Sequence, residues 1–395
     1  MAFESNEAIG LDPYGYARTH LSEAALGVLA RLSETLERDV KPLLNEAWDT
    51  ATMPDGILGA LIPLNLMEPD GVSPEEARSS MFSGFRTYAL ARTDVSVATV
   101  YNAQSGLFRA AVALGGSAEQ TAELDPLIRS FALKGVFSLT EPDHGSDIAG
   151  GLATTARRDG DEWVIDGAKR WIGGAGAADR LAIFARDVAD GEVKLFLVDR
   201  RAPGVTLETI TGKVSLRPMQ NAVITLDGAR VAESWRMQNV NSWRDVAGIL
   251  RTMRSDVAWI AAGLQAGAVE AAVRYVRARE QFGRPIGGFQ LVQEKLARML
   301  GNAVSSLGMA VQLSARQDAG DWSDENSALA KMTTALRARE TVALGREVLG
   351  GNGILLEHDA ARFFADAEAV YSYEGTHEIN ALIVGRALTG ASAFV

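Results

Sequence analysis

YSYEGTHEIN, residues 371–380, sets one carboxylate, Glu374, between the ring of Tyr373 and the pair Gly375-Thr376. An alanine-rich run, 365–370, precedes it, and ALIVGRAL, 381–388, follows with the composition of a helix. Thr376 is a residue type that caps such a helix, so Glu374 falls on the turn that leads into it. A glutamate there faces either water or a dry pocket. In a dry pocket, lost hydration raises its pKa toward the range of a general base. Taken alone, a solvated loop glutamate is the simpler reading, and the rest of the chain has to decide.

The bulk properties narrow the classes. A chain of 395 residues has room for two or three domains and a large core. Hydrophobic residues at 47% and charged residues at 23% are ordinary for a globular protein. The balance of 39 basic against 50 acidic residues, a net charge of −11, gives nucleic acid no electrostatic footprint. With no cysteine, disulfides, thiolate metal sites and cysteine nucleophiles are excluded. His20, His144, His358 and His377 are scattered without ligand spacing, so no metal is expected. No apolar run is long enough to span a bilayer. MAFESNEAIG, 1–10, has neither the basic nor the apolar region of a signal peptide. The expectation is a soluble, cytoplasmic protein.

Read in order, the chain changes character twice. Residues 1–130 read as helical. Ser22-Glu23 opens a segment with Leu26, Leu29, Leu32 and Leu36 spaced three or four apart. Pro54-Asp55 starts a short helix, and Ser73-Pro74-Glu75-Glu76 combines a capping serine, a first-turn proline and two acids. Residues 93–114, mostly small or apolar, predict a buried helix. From 131 to 235, short apolar segments alternate with turn signals such as Asp159-Gly160 and Asp190-Gly191, predicting an antiparallel β-barrel or sandwich domain. From 236 to 395 the pattern is helical again. Val257, Ile260, Ala261, Leu264, Ala268, Ala272 and Val276 make one face, with Gly263 and Gly267 allowing close approach. Helices over 290–316, 327–349 and after Thr376 complete a four-helix bundle. The fold class is α+β: N-terminal helical domain, middle β-domain, C-terminal bundle.

Four further motifs have chemistry to offer, each with an ordinary alternative. TEPDHGSD, 140–147, leaves a strand for a turn whose amides and short polar groups suit a heteroaromatic edge, or any loop. KRWIGGAG, 169–176, sets Trp171 before glycines, where it would cover a flat cofactor or cap a core. Its glycines do not open a dinucleotide-binding helix, because a strand pattern, RLAIFARD, follows. RAREQFGRPIGGFQ, 277–290, offers Arg279 and Arg284 to a diphosphate, or to water. LGGNGI, 349–354, suits a helix C-cap and also a close approach to a diphosphate.

In this order and at these intervals, the motifs resemble the acyl-CoA dehydrogenase family of flavoproteins over nearly the whole chain. VSLRPMQNAVITLDG, 214–228, and YEGTHEINALIVGRALTG, 373–390, look most like the glutaryl-CoA dehydrogenase branch. The resemblance implies FAD between the β-domain and the bundle. Phe137, Leu139, Thr140, Trp171, Ile172 and Gly173 would surround the flavin. Arg279 and Gln290 would reach the FAD of a neighbouring subunit, and Glu347, Gly350, Gly351 and Gly353 would line its adenine and diphosphate end. Thr376 would also touch FAD. Ser146 matches a position near both the cofactor and the CoA arm, with Arg254, Tyr373 and Gly375 on the substrate side. Glu374 matches the catalytic base. The implied reaction polarises the thioester carbonyl by hydrogen bonds from the Glu374 amide and a ribityl hydroxyl. Glu374 removes the α-proton, flavin N5 accepts the β-hydride, and a trans-2-enoyl-CoA results. An electron-transfer flavoprotein would reoxidise the FAD, and the family assembly is a homotetramer.

Three departures qualify the likeness. Gly173 replaces the family's threonine or serine, His144 replaces a small residue, and Ala98 stands where the glutaryl branch has an arginine for the distal carboxylate. The last argues for a neutral acyl-CoA, unless a cation such as Arg86 or Arg254 arrives from elsewhere. Gly173 leaves open a flavin oxidase or monooxygenase using oxygen. A catalytically silent scaffold on the same fold is the remaining alternative, and Glu374 argues against it.

Overall fold

A computed structural model describes residues 5, 6 and 8–392. The chain forms two compact units. One comprises residues up to 99, 214–218 and 254 onward; the other comprises 100–213 and 219–253.

In the first unit the helix starts follow the capping chemistry of the sequence. Ser22 accepts the Ala25 amide at 3.2 Å and opens α1, Glu23–Thr35, which buries Ala25, Val28, Leu29 and Leu32 on one stripe. Ser73 caps α2, Pro74–Arg78, which stops after five residues because Ser79 caps a new helix, α3, Ser80–Thr93. The single helix expected over 93–114 is interrupted. Asp94 is extended, with φ −164°, and its carboxylate accepts the amides of Ser96 and Val97 at 2.9 and 3.2 Å to start α4, Val95–Asn102. A side chain that pairs with nearby backbone amides competes with helix continuation, and here it wins.

The C-terminal helices are α5, Trp243–Ala278; α6, Gln290–Asp318; α7, Asp324–Val348; α8, Ala360–Ser372; and α9, His377–Thr389. Buried Gln265 on α5 ties three of them together, donating to the Ser306 hydroxyl at 2.9 Å and the Thr334 carbonyl at 3.3 Å and accepting from Thr341 at 3.2 Å. Gly263 and Gly267 let α5 approach α3: a Cβ there would lie 2.5 Å from the Tyr88 carbonyl oxygen and 2.2 Å from that of Arg92. Besides the expected four helices, the alanine-rich run before Tyr371 forms α8, which packs on α7. The 214–218 segment joins this unit because the Leu216 amide donates to Asp366 on α8 at 2.6 Å and Arg217 donates to the Trp48 carbonyl at 2.7 Å.

The second unit holds an eight-stranded sheet. Its strands are β1, Gly135–Ser138; β2, Thr155–Asp159; β3, Glu162–Gly173; β4, Arg180–Asp187; β5, Val193–Asp199; β6, Val205–Thr209; β7, Asn221–Ala232; and β8, Arg236–Met237. Their order is β8-β5-β4-β2-β3-β7-β6, with β1 also on β4. The β2–β3 and β4–β5 hairpins turn at the expected Asp-Gly signals. The sheet is mixed and not wholly antiparallel, since β1 and β2 both run parallel to β4. Alternation of apolar residues fixes which face a side chain takes, and it carries no information on strand direction. Both faces are covered. Ala182 and Phe184 join one core with Phe108, Leu195 and Leu197, while Leu181 and Ile183 join the other with Ile165 and Phe196.

Candidate active site

The turn that carries Glu374 is fixed from four sides. Its backbone is left-handed, with φ +53° at Glu374 and +83° at Gly375. Glycine takes this conformation freely, but at glutamate it is strained and persists only where neighbours impose it. The Tyr373 amide closes α8 on the Ala369 carbonyl at 2.9 Å. Thr376 caps α9, accepting the Ile379 amide at 3.3 Å. Buried Asn380 donates to the carbonyls of Gly375 and Thr376, both at 2.9 Å. Lys331 on α7, with no exposed surface, donates to the carbonyls of Tyr371 and Gly375, both at 2.8 Å.

Glu374 keeps some accessible surface, yet protein atoms enclose its carboxylate closely enough to strip most of its hydration. That desolvation raises its pKa above the ordinary glutamate value. Arg254 opposes the rise, Asp256 adds to it by like-charge repulsion, and Lys331 opposes it. Arg254 is itself paired with Asp324 at 3.2 Å. Burial pushes Lys331 down to about 8, against the pull of Glu374 and Glu378. It also pushes the Tyr373 phenol up. Buried polar atoms beside the turn, His377 Nδ1 and Asn380 Oδ1 among them, have no hydrogen-bond partner. A carboxylate whose pKa is raised, on a strained turn with unused polar atoms beside it, is an arrangement suited to proton abstraction.

The remaining expected residues divide between the units. In the sheet unit, the Arg170 amide donates to the Thr140 carbonyl at 2.8 Å, so the end of β1 and the Trp171 segment lie together. Below them Lys169 and Glu141, both buried, pair at 2.8 Å, and Glu141 also accepts the amides of Ala153 and Thr154. Glu141 of TEPDHGSD is therefore committed to structure. Trp171 has φ +67° and is 51% exposed, held there by Asn221, which donates to its carbonyl at 3.0 Å. Phe137 packs on Phe184, with ring centroids 4.8 Å apart, and Leu139 and Ile172 are buried. Ser146 is exposed, and His144 pairs with Asp147 at 2.9 Å. Gly173 faces Met219: a Cβ at 173 would sit 2.0 Å from the Met219 Cε.

In the helical unit, Arg279 and Gln290 are exposed on either side of a two-stranded hairpin, Glu280–Gln281 with Arg284–Pro285. The Phe282-Gly283 turn of that hairpin has both φ angles positive and leaves Phe282 93% exposed. Glu347 pairs with Lys295 at 2.6 Å. Gly350, at φ +59°, and Gly351 have open space where a Cβ would be, whereas a Cβ at Gly353 would lie 2.3 Å from the Arg346 carbonyl oxygen. In the sheet unit the exposed tryptophan plane suits a flat ring system; in the helical unit the open glycine backbone suits a diphosphate. Lys331, Asn380 and Met219 escaped the sequence reading. A lysine inside the small-residue face of ALAKMTTAL was the available signal for the first.

Among the described residues no group of side chains could hold a metal, and no helix is long and apolar enough to cross a membrane.

Comparison with known proteins identifies the family. Residues 136–229 match the model of the acyl-CoA dehydrogenase middle domain, and 243–389 match that of the acyl-CoA dehydrogenase C-terminal domain. A probable acyl-CoA dehydrogenase, YngJ, of Bacillus subtilis (strain 168) is 32% identical over 316 residues, 76% of this chain and 82% of that protein. Glutaryl-CoA dehydrogenase of Mycobacterium smegmatis superposes with a TM-score of 0.88 at 32% identity, covering 96% of this chain and 97% of that one. A M. smegmatis glutaryl-CoA dehydrogenase in complex with FADH2 gives 0.89 at 29% identity, covering 95% and 97%. The succession of helical, β and helical parts is the acyl-CoA dehydrogenase fold. The chain belongs to the acyl-CoA dehydrogenase family and is an oxidoreductase acting on CH–CH bonds. These relatives are dehydrogenases, so the oxidase alternative is not favoured.

Proposed function

We propose that this protein is an FAD-dependent acyl-CoA dehydrogenase that converts a neutral acyl-CoA thioester to its trans-2-enoyl-CoA, with Glu374 as the α-proton base. The observation that carries this reading is the Glu374 turn: a desolvated carboxylate of raised pKa, held on a strained backbone by Lys331, Asn380 and Thr376. Its neighbours suit the role. Tyr373 and Gly375, which flank Glu374 in the chain, would face the substrate, and the Glu374 amide would polarise the thioester carbonyl. Arg254 tempers the pKa of the base. Ser146 would meet the CoA arm.

FAD, when bound, supplies the hydride acceptor. Phe137, Leu139, Thr140, Trp171, Ile172 and Gly173 would hold its ring system from the sheet unit. Arg279, Gln290, Glu347, Gly350, Gly351, Gly353 and Thr376 would hold the remainder, with Ser146 at the boundary with substrate. The domain limits go with this reading: 1–130, 131–235 and 236–395. So do an electron-transfer flavoprotein as acceptor and a homotetramer, both suggested by the family resemblance, and a cytoplasmic location.

Neutral substrates are favoured because Ala98 is fully buried among Val95, Val97 and Tyr101, none of them a cation. The arginines that could substitute are engaged: Arg86 with Leu66 and Ser83, Arg92 with Glu270 and Arg254 with Asp324. Anaerobic bleaching of the flavin by a panel of acyl-CoAs tests the reaction. Glu374→Gln should keep FAD and bind acyl-CoA but lose flavin reduction by several orders of magnitude. Near-normal reduction by that variant would remove Glu374 from the role.

A further inference from the structure

Lys331 stands in the middle of α7 with no exposed surface, and buried Ala328, Ala330, Thr334 and Ala335 lie near it in sequence. An ammonium group is kept out of water only where something offsets its lost hydration. Its hydrogen bonds go to neutral backbone oxygens, those of Tyr371 and Gly375 at 2.8 Å each. These two residues bracket the Glu374 turn. The charges that act on the ammonium come from Glu374 on the turn, Glu378 on α9 and, with opposite sign, Arg254 on α5. The layer also contains His377 of α9, stacked on Tyr371 of α8 at 4.9 Å, and Arg339 of α7, which lies over the same ring at 4.4 Å. Asp256 on α5 acts on Glu374 as a second carboxylate.

We propose that Lys331 is a positioning residue for the base: its buried ammonium staples both ends of the turn, holding Glu374 in its left-handed conformation, and serves beside Arg254 as a further positive charge near the carboxylate. The proposal rests on Glu374 being the base. Asn380 and Lys331 both donate to the Gly375 carbonyl, whereas only Lys331 of the two also reaches the Tyr371 side. A lysine with a purely structural role would hold the backbone without affecting the ionisation of Glu374.

The test uses the full-length, FAD-loaded protein. An infrared difference titration, made without acyl-CoA, follows the Glu374 carboxyl band, assigned by its loss in Glu374→Gln. Lys331→Met should move the midpoint upward, because a nearby positive charge is gone. It should also slow anaerobic flavin reduction by butyryl-CoA by about a hundredfold, with butyryl-CoA binding changed much less, as expected of a displaced base. Lys331→Gln keeps a donor without the charge. It should shift the titration similarly and retain more of the reduction rate, and it carries the test if Lys331→Met does not fold. A midpoint unmoved in both variants overturns the proposal. If Glu374→Gln reduces normally while the Lys331 variants still shift the band, the base assignment fails and the staple on the turn survives.

Discussion

Replacing Gly173 by threonine tests how this chain accommodates its departure from the family pattern. The space at 173 is not empty. A Cβ would fall 2.0 Å from Met219 Cε, 3.0 Å from its Sδ and 3.4 Å from Asn221 Nδ2. Carbon atoms in contact sit near 3.5–4 Å, so an overlap of almost 2 Å has to be relieved by moving the methionine. Met219 is 5% exposed, so the flexible end of its side chain would have to turn within a buried setting. Overpacking of this kind costs about 1–3 kcal/mol, and the better strand propensity of threonine returns a few tenths of that. Gly173→Thr should therefore lose about 1–2 kcal/mol. Met219→Ala alone should lose about 2–3 kcal/mol through the cavity it leaves. In the double variant the threonine fills part of that cavity, so the two costs should couple favourably by about 1–2 kcal/mol. Urea unfolding of the four FAD-loaded proteins measures each corner of the cycle. The reaction of the reduced flavin with oxygen, measured beside reduction by acyl-CoA, reports the functional side, where reoxidation should change more. Additive energies, with Gly173→Thr as stable as the parent, would refute the idea that the methionine occupies the place of the missing side chain.

Other outcomes follow from the same structure. The purified protein should be yellow and carry about one FAD per chain, and an absorption spectrum without flavin bands, unchanged by added FAD, would count against it. Butyryl- and isobutyryl-CoA should give higher kcat/KM than glutaryl-CoA, and Ala98→Arg should move preference toward glutaryl-CoA by about tenfold or more, since an unpaired distal carboxylate in an apolar pocket is costly; a parent protein that prefers glutaryl-CoA would sink this. Because the Lys331 pKa is lowered in the folded state, from 10.5 to about 8, the unfolded chain binds the extra proton between those values. Stability should accordingly rise with pH across that window, by up to about 3 kcal/mol from this group. Lys331→Met should lack that part of the rise in denaturant titrations at pH 7.5 and 10, and equal slopes for both proteins would contradict it.

Much of the fold was legible in the residues because its signals are local. Ser22, Ser73 and Thr376 cap helices through side chains one turn away, Asp159-Gly160 and Asp190-Gly191 turn hairpins, and the Val257 to Val276 stripe buries one helix face. The stretch proposed to carry the base was legible too, since Tyr373 to Thr376 is contiguous. Direction within the sheet was not, because apolar alternation is the same for parallel and antiparallel neighbours. Nor was the break at Asp94, where a carboxylate chose the amides of Ser96 and Val97 over helix continuation. The state of Glu374 belongs to the tertiary structure alone. Lys331, 43 residues before it in the sequence, and Arg254, on another helix, reach its surroundings only after the helices pack. Desolvation and counter-charge, which set its pKa, depend on distances through space that no local pattern of residues encodes.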